Sequence, residues 1–342
     1  MAVAQTDLRC TACGGQCAYS PREGALVCDS CGTAHEIIDD ARADPAAETA
    51  YRATVPDVPV AERSHAHRCT ACGGSVIIEG AALSERCSYC NGPLVRTLED
   101  VGYPAMALIP FQIVEDIAWQ NARAWIAKRL AAPAGLAASM EAGRMATLYA
   151  PFFTFDSTEL VDYWGTYTTK VGKQRVRRRE TGVFETRFDD LLVPASPHIT
   201  PLIRDGVLHD FDPGTLRPYA PAYIAGFPAE RHHLNVEDGL MAKQRDKDLL
   251  IRNQIQRHSR RRLSNIGYNT ATSGVRYRRI LLPVYILHYE HGAKAYKVVT
   301  CGLHGKTFGE RPFDHRKLFG YAATISAAAV LVGLLYGLAG LP

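Results

Sequence analysis

From Ala107 onward the apolar residues fall into patterns that predict one element after another. "ALIPF" leads into "EDIAWQNARAWIAKRLAAP", where Ile117, Ala118, Ala122, Trp125, Ile126 and Leu130 recur at helical spacing and Pro133 is the stop. "LYAPFFTFDSTELVDYWGTYTT" and "ETGVFETRFDDLLVPAS" are rich in aromatic and β-branched residues and predict strands. Between them, "KVGKQRVRRR" predicts the exposed tip of a long hairpin. A polar helix is expected from Val236 to about Leu263, followed by two strands, "RRILLPVYILHYE" and "AKAYKVVTC", joined through "HGA". Pro110, Pro151, Pro194 and Pro283 each interrupt an apolar run, which predicts edge strands, strand starts or bulges rather than central strands. Residues 105–317 therefore read as an α+β domain on an antiparallel sheet.

The pattern changes at both ends. Leu318 to Pro342 carries no charge, and at about 1.5 Å per helical residue it is long enough to cross a hydrocarbon core of about 30 Å. A transmembrane helix over 318–341 is the expectation. Arg311, Arg316 and Lys317 precede it, so the preceding domains are expected in the cytoplasm, with a single pass through the cell inner membrane. Gly333 and Gly337 form a GxxxG pair compatible with weak homodimerisation.

At the other end the heptapeptide "RCTACGG" occurs at Arg9–Gly15 and again at Arg68–Gly74. Cys10, Cys13, Cys28 and Cys31 recur as Cys69, Cys72, Cys87 and Cys90, every one displaced by 59 positions. Each copy reads C-x2-C-x14-C-x2-C, the spacing of a four-thiolate zinc site, so two Zn2+ per chain are expected. Gly14, Gly32, Gly73 and Asn91 stand where such knuckles need a positive φ. Redox C-x-x-C motifs are the competing reading, but those come singly and near a helix start. The expected organisation is a zinc ribbon over 8–40, a linker over 41–67 with room for one short helix, and a second ribbon over 68–96. Aligning the copies sets Cys17 opposite Val76, at a packing position. With no apolar leader before Cys10, reduced thiolates in a cytosolic compartment fit better than disulfides.

Charge divides the chain. Residues 1–100 hold 8 Lys+Arg against 14 Asp+Glu, and the remainder 31 against 21, within an overall +4. The acidic repeats suit phosphate backbones poorly. Lys170, Lys173, Arg175, Arg177, Arg178 and Arg179 are candidate polyanion contacts, joined by Arg260–Arg262. A solvated loop is the bland alternative. Anionic lipid or an acidic protein partner ranks above nucleic acid, which is the runner-up. His232–His233 and His315 invite catalytic readings, yet adjacent histidines on a strand face opposite ways. No nucleophile elbow, HExxH or paired-carboxylate spacing accompanies them. No enzyme activity is expected.

"ALIPF", "YAPFFTFD", "FDDLLVPAS", "AGFPAER", "LLPVYI" and "GKTFGERPF", in that order after the tandem repeats, resemble a bacterial group of zinc-ribbon proteins, sometimes membrane-anchored. That group is described as carrying a transcription factor IIB-type zinc ribbon, and some members bear the label primosomal protein N' (replication factor Y), superfamily II helicase. The resemblance covers about residues 9–317 and implies metal binding at the eight paired cysteines. The helicase label fails on the residues. A phosphate loop needs G-x4-G-K-[ST], and the first glycine ahead of Gly305–Thr307 would fall at Thr300.

Overall fold

The computed structural model describes residues 8–40, 43–62, 66–79, 86–97, 100–129, 131–208 and 211–338. Three strands carry the α+β architecture: β1 (Arg144–Val171), β2 (Gln174–Pro194) and β3 (Ser264–His291). β1 is central, antiparallel to β2 on one side and to β3 on the other. β4 (Lys294–Cys301) continues beyond β3 through a turn at Gly292, whose φ of 64° matches the predicted "HGA" hairpin. Among the described residues the sheet has 12 strands and is antiparallel apart from two short parallel pairings, Ala107–Leu108 with β3 and Tyr149 with Ala229.

The two halves of β1 differ because their surroundings differ. Leu148 to Phe155 are all buried, with Leu148, Ala150 and Phe152 in one core and Phe153 and Phe155 in another on the opposite face. A continuous apolar run is what a strand covered on both faces requires. Beyond it, Glu159, Val161 and Tyr163 are buried while Leu160, Asp162 and Trp164 are exposed. This alternation marks an arm covered on one face only. The cover is α2 (Val236–Ser259), whose Ile251 and Ile255 pack on Val161, Tyr163 and Leu263. Asn235 caps α2, its side chain accepting from Asp238 N at 2.7 Å. The predicted basic tip is the end of this arm, but it is strand almost throughout. Only Gly172 and Lys173 turn, so Arg175 to Arg179 are paired β residues.

The proline expectation is corrected at two positions. Pro194 closes β2 and Pro110 follows the short strand Ala107–Leu108, but Pro151 and Pro283 lie within central strands. Each stands at a seam between successive neighbours, where no partner requires the missing N–H. Beside Pro151 the Tyr149–Ala229 pairing has ended and the pairing with β2 starts at Phe152–Pro194, with Ala195 N donating to Pro151 O. Beside Pro283 the pairing of Leu108 with Leu281 has ended and that of Val284 with Cys301 begins, with Gly302 N donating to Pro283 O.

Two other boundaries move. α1 (Glu115–Ala127) ends before Pro133, and a short helix, Leu136–Glu141, follows. Ala118, Ala122 and Ile126 of the expected face are buried, Trp125 is partly buried and Ile117 is exposed; Leu130 lies outside the described residues. In the segment read as a linker with room for one short helix, the described residues show two short strands, Thr49–Ala50 and Val60–Glu62. Thr49–Ala50 pairs with β3.

α3 (His315–Leu338) leaves the sheet beside Ala131 and Ala132, which accept from Asp314 N at 2.9 Å and Lys317 Nζ at 2.9 Å. Within His315–Leu335 an 18-residue window has a mean hydropathy of 2.0 and none of it is buried, so among the described residues one helix is long and apolar enough to cross a membrane. Positions 339–341 of the expected 318–341 span lie outside the described residues.

Candidate metal centres

Four short turns build the cysteine sites, and all use the same pair of backbone bonds. Cys10, Cys28, Cys69 and Cys87 each accept at O from the residue four positions on, at 2.8–3.0 Å, and donate from N to the residue five positions on, at 2.7–3.0 Å. The turn needs a left-handed residue at that fourth position. Gly14, Gly32, Gly73 and Asn91 supply it, with φ of 73°, 71°, 78° and 62°. The C-x2-C spacing then turns both sulfurs of a knuckle toward one point.

The knuckles meet in pairs. Within the Cys10, Cys13, Cys28, Cys31 quartet, and within Cys69, Cys72, Cys87, Cys90, all Sγ atoms lie within 4.8 Å of one another. Cross-knuckle separations are 3.6 Å for Cys10–Cys31, 3.5 Å for Cys13–Cys28, 3.5 Å for Cys69–Cys90 and 3.8 Å for Cys72–Cys87. A regular tetrahedron with metal–sulfur bonds of about 2.3 Å has edges of about 3.8 Å. Both quartets fit one ion each, as the sequence predicts. As free thiols they titrate far apart. Within the second quartet burial pushes Cys72 up to about 11, while Cys69, against the same burial, is held down to about 7 by hydrogen bonds from the backbone of Cys72 and Ala71. A cation among four thiolates removes that conflict.

The two quartets sit in different surroundings. The first belongs to a separate three-stranded sheet, Cys17–Ser20, Ala25–Cys28 and Ala34–His35. It docks through Tyr19, whose hydroxyl donates to Phe111 O at 3.2 Å, and through Asp39, which accepts from Tyr223. Cys13 and Cys31 are exposed. Cys17 packs beneath the quartet as expected, and it forms a further cluster with Cys10 and His35, whose Nε2 lies 3.2 Å from Cys10 Sγ.

The second quartet is part of the main sheet. Ala66–Cys69 and Ser75–Ile78 form its hairpin, and Pro228–Ala229 joins that hairpin to β1. Cys69, Cys87 and Tyr89 belong to the largest buried core, together with Leu148, Phe152 and Ile280. The Ser88 hydroxyl donates to Thr147 O at 2.9 Å, and His288 Nε2 donates to Ser88 O at 2.8 Å. Arg144 Nη1 donates to Asn91 Oδ1 at 3.0 Å. Inside, Tyr89 donates to Glu230, a buried carboxyl that also accepts from Ser196 Oγ at 2.8 Å. Burial pushes Glu230 up to about 8. Sequence reasoning did not single out Ser88, Tyr89 or Glu230. The local signal was the aromatic Tyr89 of "CSYC", where "CDSC" has the polar Ser30.

The same backbone turn recurs at Cys301, with Gly305 at φ 70° and bonds of 3.0 and 2.8 Å to Gly305 N and Lys306 O. This places the "GKT" tripeptide at a strand turn, away from any helix start, which agrees with the exclusion of a phosphate loop. His232 and His233 face opposite ways, as expected. His232 is fully buried and donates to Phe152 O, while His233 contacts Val101 O.

Lys170, Lys173, Arg175, Arg177, Arg178 and Arg179 are all exposed at the arm tip. The structure brings Arg261 and Arg262, just beyond the end of α2, to the same tip. The Arg261 guanidinium stacks on Tyr167 at 4.3 Å, and with Arg178 and Arg262 it lines a cleft of about 600 Å³. β1 has 28 residues, so at about 3.3 Å per residue roughly 90 Å of strand contour separates this tip from the end where α3 departs.

Compared with known proteins, no family model matches this chain and no solved structure does. The chain is similar to an uncharacterized protein, YdjG, of Bacillus subtilis (strain 168), at 25% identity over 360 residues. The match covers 96% of this chain and 98% of that protein, so it concerns the whole arrangement rather than the cysteine repeats alone.

Proposed function

We propose that this is a membrane-anchored protein whose two tandem zinc ribbons stabilise a non-catalytic binding module, with the basic arm as the binding element. Zinc is the ion that best suits four converging thiolates at tetrahedral separations, and four sulfurs close the site to water and substrate. This supports a structural rather than catalytic metal. α3 supports the anchor: a buried core helix is the alternative, and no part of its apolar stretch is buried. Arg311, Arg316 and Lys317 beside its start favour a cytoplasmic placement of the preceding domains, which also keeps the thiolates reduced.

One observation carries the binding role. The anchor and the arginine-rich tip lie at opposite ends of the same long strands, so the arm holds its charge far from the point of membrane entry. That geometry favours an acidic protein partner over the lipid around the anchor. Nucleic acid is the second reading, favoured by the stacked Arg261–Tyr167 pair, which resembles a base-stacking surface.

The test is affinity purification from solubilised membranes, with and without nuclease. It uses the intact chain and a variant with Arg175, Arg177, Arg178 and Arg179 changed to Ser. A partner retained after nuclease and lost in the variant supports the proposal. Loss of all partners on nuclease treatment favours nucleic acid, and equal recovery by both proteins refutes a role for the arm.

A further inference from the structure

β2 is an edge strand, and its outer side is open along the arm. Val171 and Gln174 flank a two-residue turn with Gly172 at φ 61°, so they form the first hydrogen-bonded pair of the β1–β2 ladder. Alternation then directs the N–H and C=O of Gln174, Val176, Arg178 and Glu180 toward β1. Those of Arg175, Arg177, Arg179 and Thr181 point away from it. The pairing runs without a register shift as far as Phe188, so the outward pattern continues at every second residue to Arg187. Among the described residues β2 has β1 as its one strand partner, which leaves these outward groups without a ladder.

The same residues carry charge on the uncovered face of the arm. Arg177 stands opposite Thr168 and Arg179 opposite Thr166, on the side of β1 away from Val161, Tyr163 and α2. Arg177 Nε and Nη2 donate to Thr166 Oγ1 at 3.0 and 2.9 Å, which lays the guanidinium along that face. Arg175, Arg177 and Arg179 are all exposed. Glu180, the nearest carboxylate in the strand, reaches instead to Arg261 at 3.5 Å.

Charge selects the occupant of this edge. A second copy of the chain would bring another run of arginines against the first, and like charges opposite one another destabilise a strand pair. An uncharged strand has no reason to prefer β2. The opposite edge of the arm, Ser264–Gly274 of β3, carries no charge and among the described residues pairs only with β1. An acidic extended segment gains at β2 alone, where successive outward residues lie about 6.7 Å apart on one face.

We propose that β2 accepts an acidic extended segment of a partner protein as a further antiparallel strand, its carboxylates opposite Arg175, Arg177 and Arg179. This pairing rests on the arm being the binding element, and adds how the partner is held.

The test is fluorescence anisotropy on the full chain, purified in detergent with its metal, using a labelled decapeptide of alternating Thr and Glu. Two further peptides carry the same charge, with N-methyl groups on either the Glu or the Thr nitrogens. Residues directly opposite in a hydrogen-bonded antiparallel pair exchange both bonds, so a Glu opposite Arg177 aims its N–H at β2 while its Thr neighbours aim theirs away. The Thr-methylated peptide should bind within about threefold of the parent, and the Glu-methylated one about tenfold more weakly or worse. Thr181→Pro removes an outward N–H and keeps every arginine, so it should weaken the parent peptide about tenfold while the melting temperature holds. Equal binding of the two methylated peptides would overturn the pairing and leave an acidic partner held by charge alone. No binding of the parent peptide, equal binding of a Thr and Gln peptide, or an unchanged Thr181→Pro would overturn it as well. If Thr181→Pro fails to fold, the methylated peptides on the wild-type chain decide alone.

Discussion

Glu230 ties the second cysteine repeat to the sheet, and its titration should be visible in the stability of the whole protein. Burial raises its pKa to about 8, against about 4.3 in an unfolded chain. A carboxyl raised in this way contributes stability that is complete below about pH 4.3 and is lost as pH rises through about 8. Between pH 6 and 8 the unfolded carboxyl is already ionised while the folded one still holds its proton. At about 1.4 kcal/mol per pH unit, this window removes roughly 2 kcal/mol. At an unfolding entropy of about 2.1 cal/mol/K per residue, that is a fall of roughly 3 °C in Tm for a chain of this size. His232 and His288 oppose it: burial lowers them to about 3 and about 4, so their stability is gained as pH rises toward the unfolded histidine value. The measurement is therefore a difference, Tm against pH for wild type and Glu230→Gln in metal-saturated buffer. Glu230→Gln keeps a polar partner for Tyr89 and Ser196 but cannot ionise, so its curve should lack the fall and cross above wild type near pH 8. Parallel curves from pH 6 to 9 would refute the buried, protonated carboxyl.

The two repeats should respond unequally to the same substitution. Cys10→Ser should release one metal and loosen residues 9–36, leaving the main melting transition within about 1 kcal/mol of wild type. Cys69→Ser cuts into the core shared with Leu148 and Phe152, and should abolish cooperative melting or lower it by several kcal/mol; calorimetry on both variants checks this. Under α2, Lys247 Nζ lies 2.6 Å from Glu159, which also accepts from Ser157 and Thr272, all but closed to solvent. Lys247→Met alone should therefore cost about 3–5 kcal/mol by stranding the carboxylate, whereas Glu159→Leu with Lys247→Met should recover most of it. Urea denaturation of the single and double variants measures the difference.

The cysteine knuckles were legible because their chemistry is local. Ligand spacing and the left-handed fourth residue are both written within six positions, and every one of Gly14, Gly32, Gly73 and Asn91 adopts the required φ. The hairpin of β1 and β2, the extent of α2 and the apolar tail were legible for a similar reason, as periodicity over a single segment. What sequence could not show depends on distant pieces. The second repeat enters the sheet through two residues, Pro228 and Ala229, some 150 positions away. The first half of β3, "SNIGYNTATSGVRY", is polar with glycines, and it is a strand because β1 pairs with it and the Gly274 bulge lets it bend. Pro151 and Pro283 argued for edge strands, strand starts or bulges, and only the change of neighbours at those points explains them within central strands. Nothing in either segment announces that Glu159 and Lys247 meet in the interior.

The central claim is that each repeat holds its own zinc. Elemental analysis combined with native mass spectrometry of the full chain, purified in detergent without added metal or chelator, tests it directly. Two zinc ions per chain are predicted, one for each of the Cys10–Cys31 and Cys69–Cys90 quartets. One ion per chain, a metal other than zinc, or disulfide-bonded quartets without metal would contradict it.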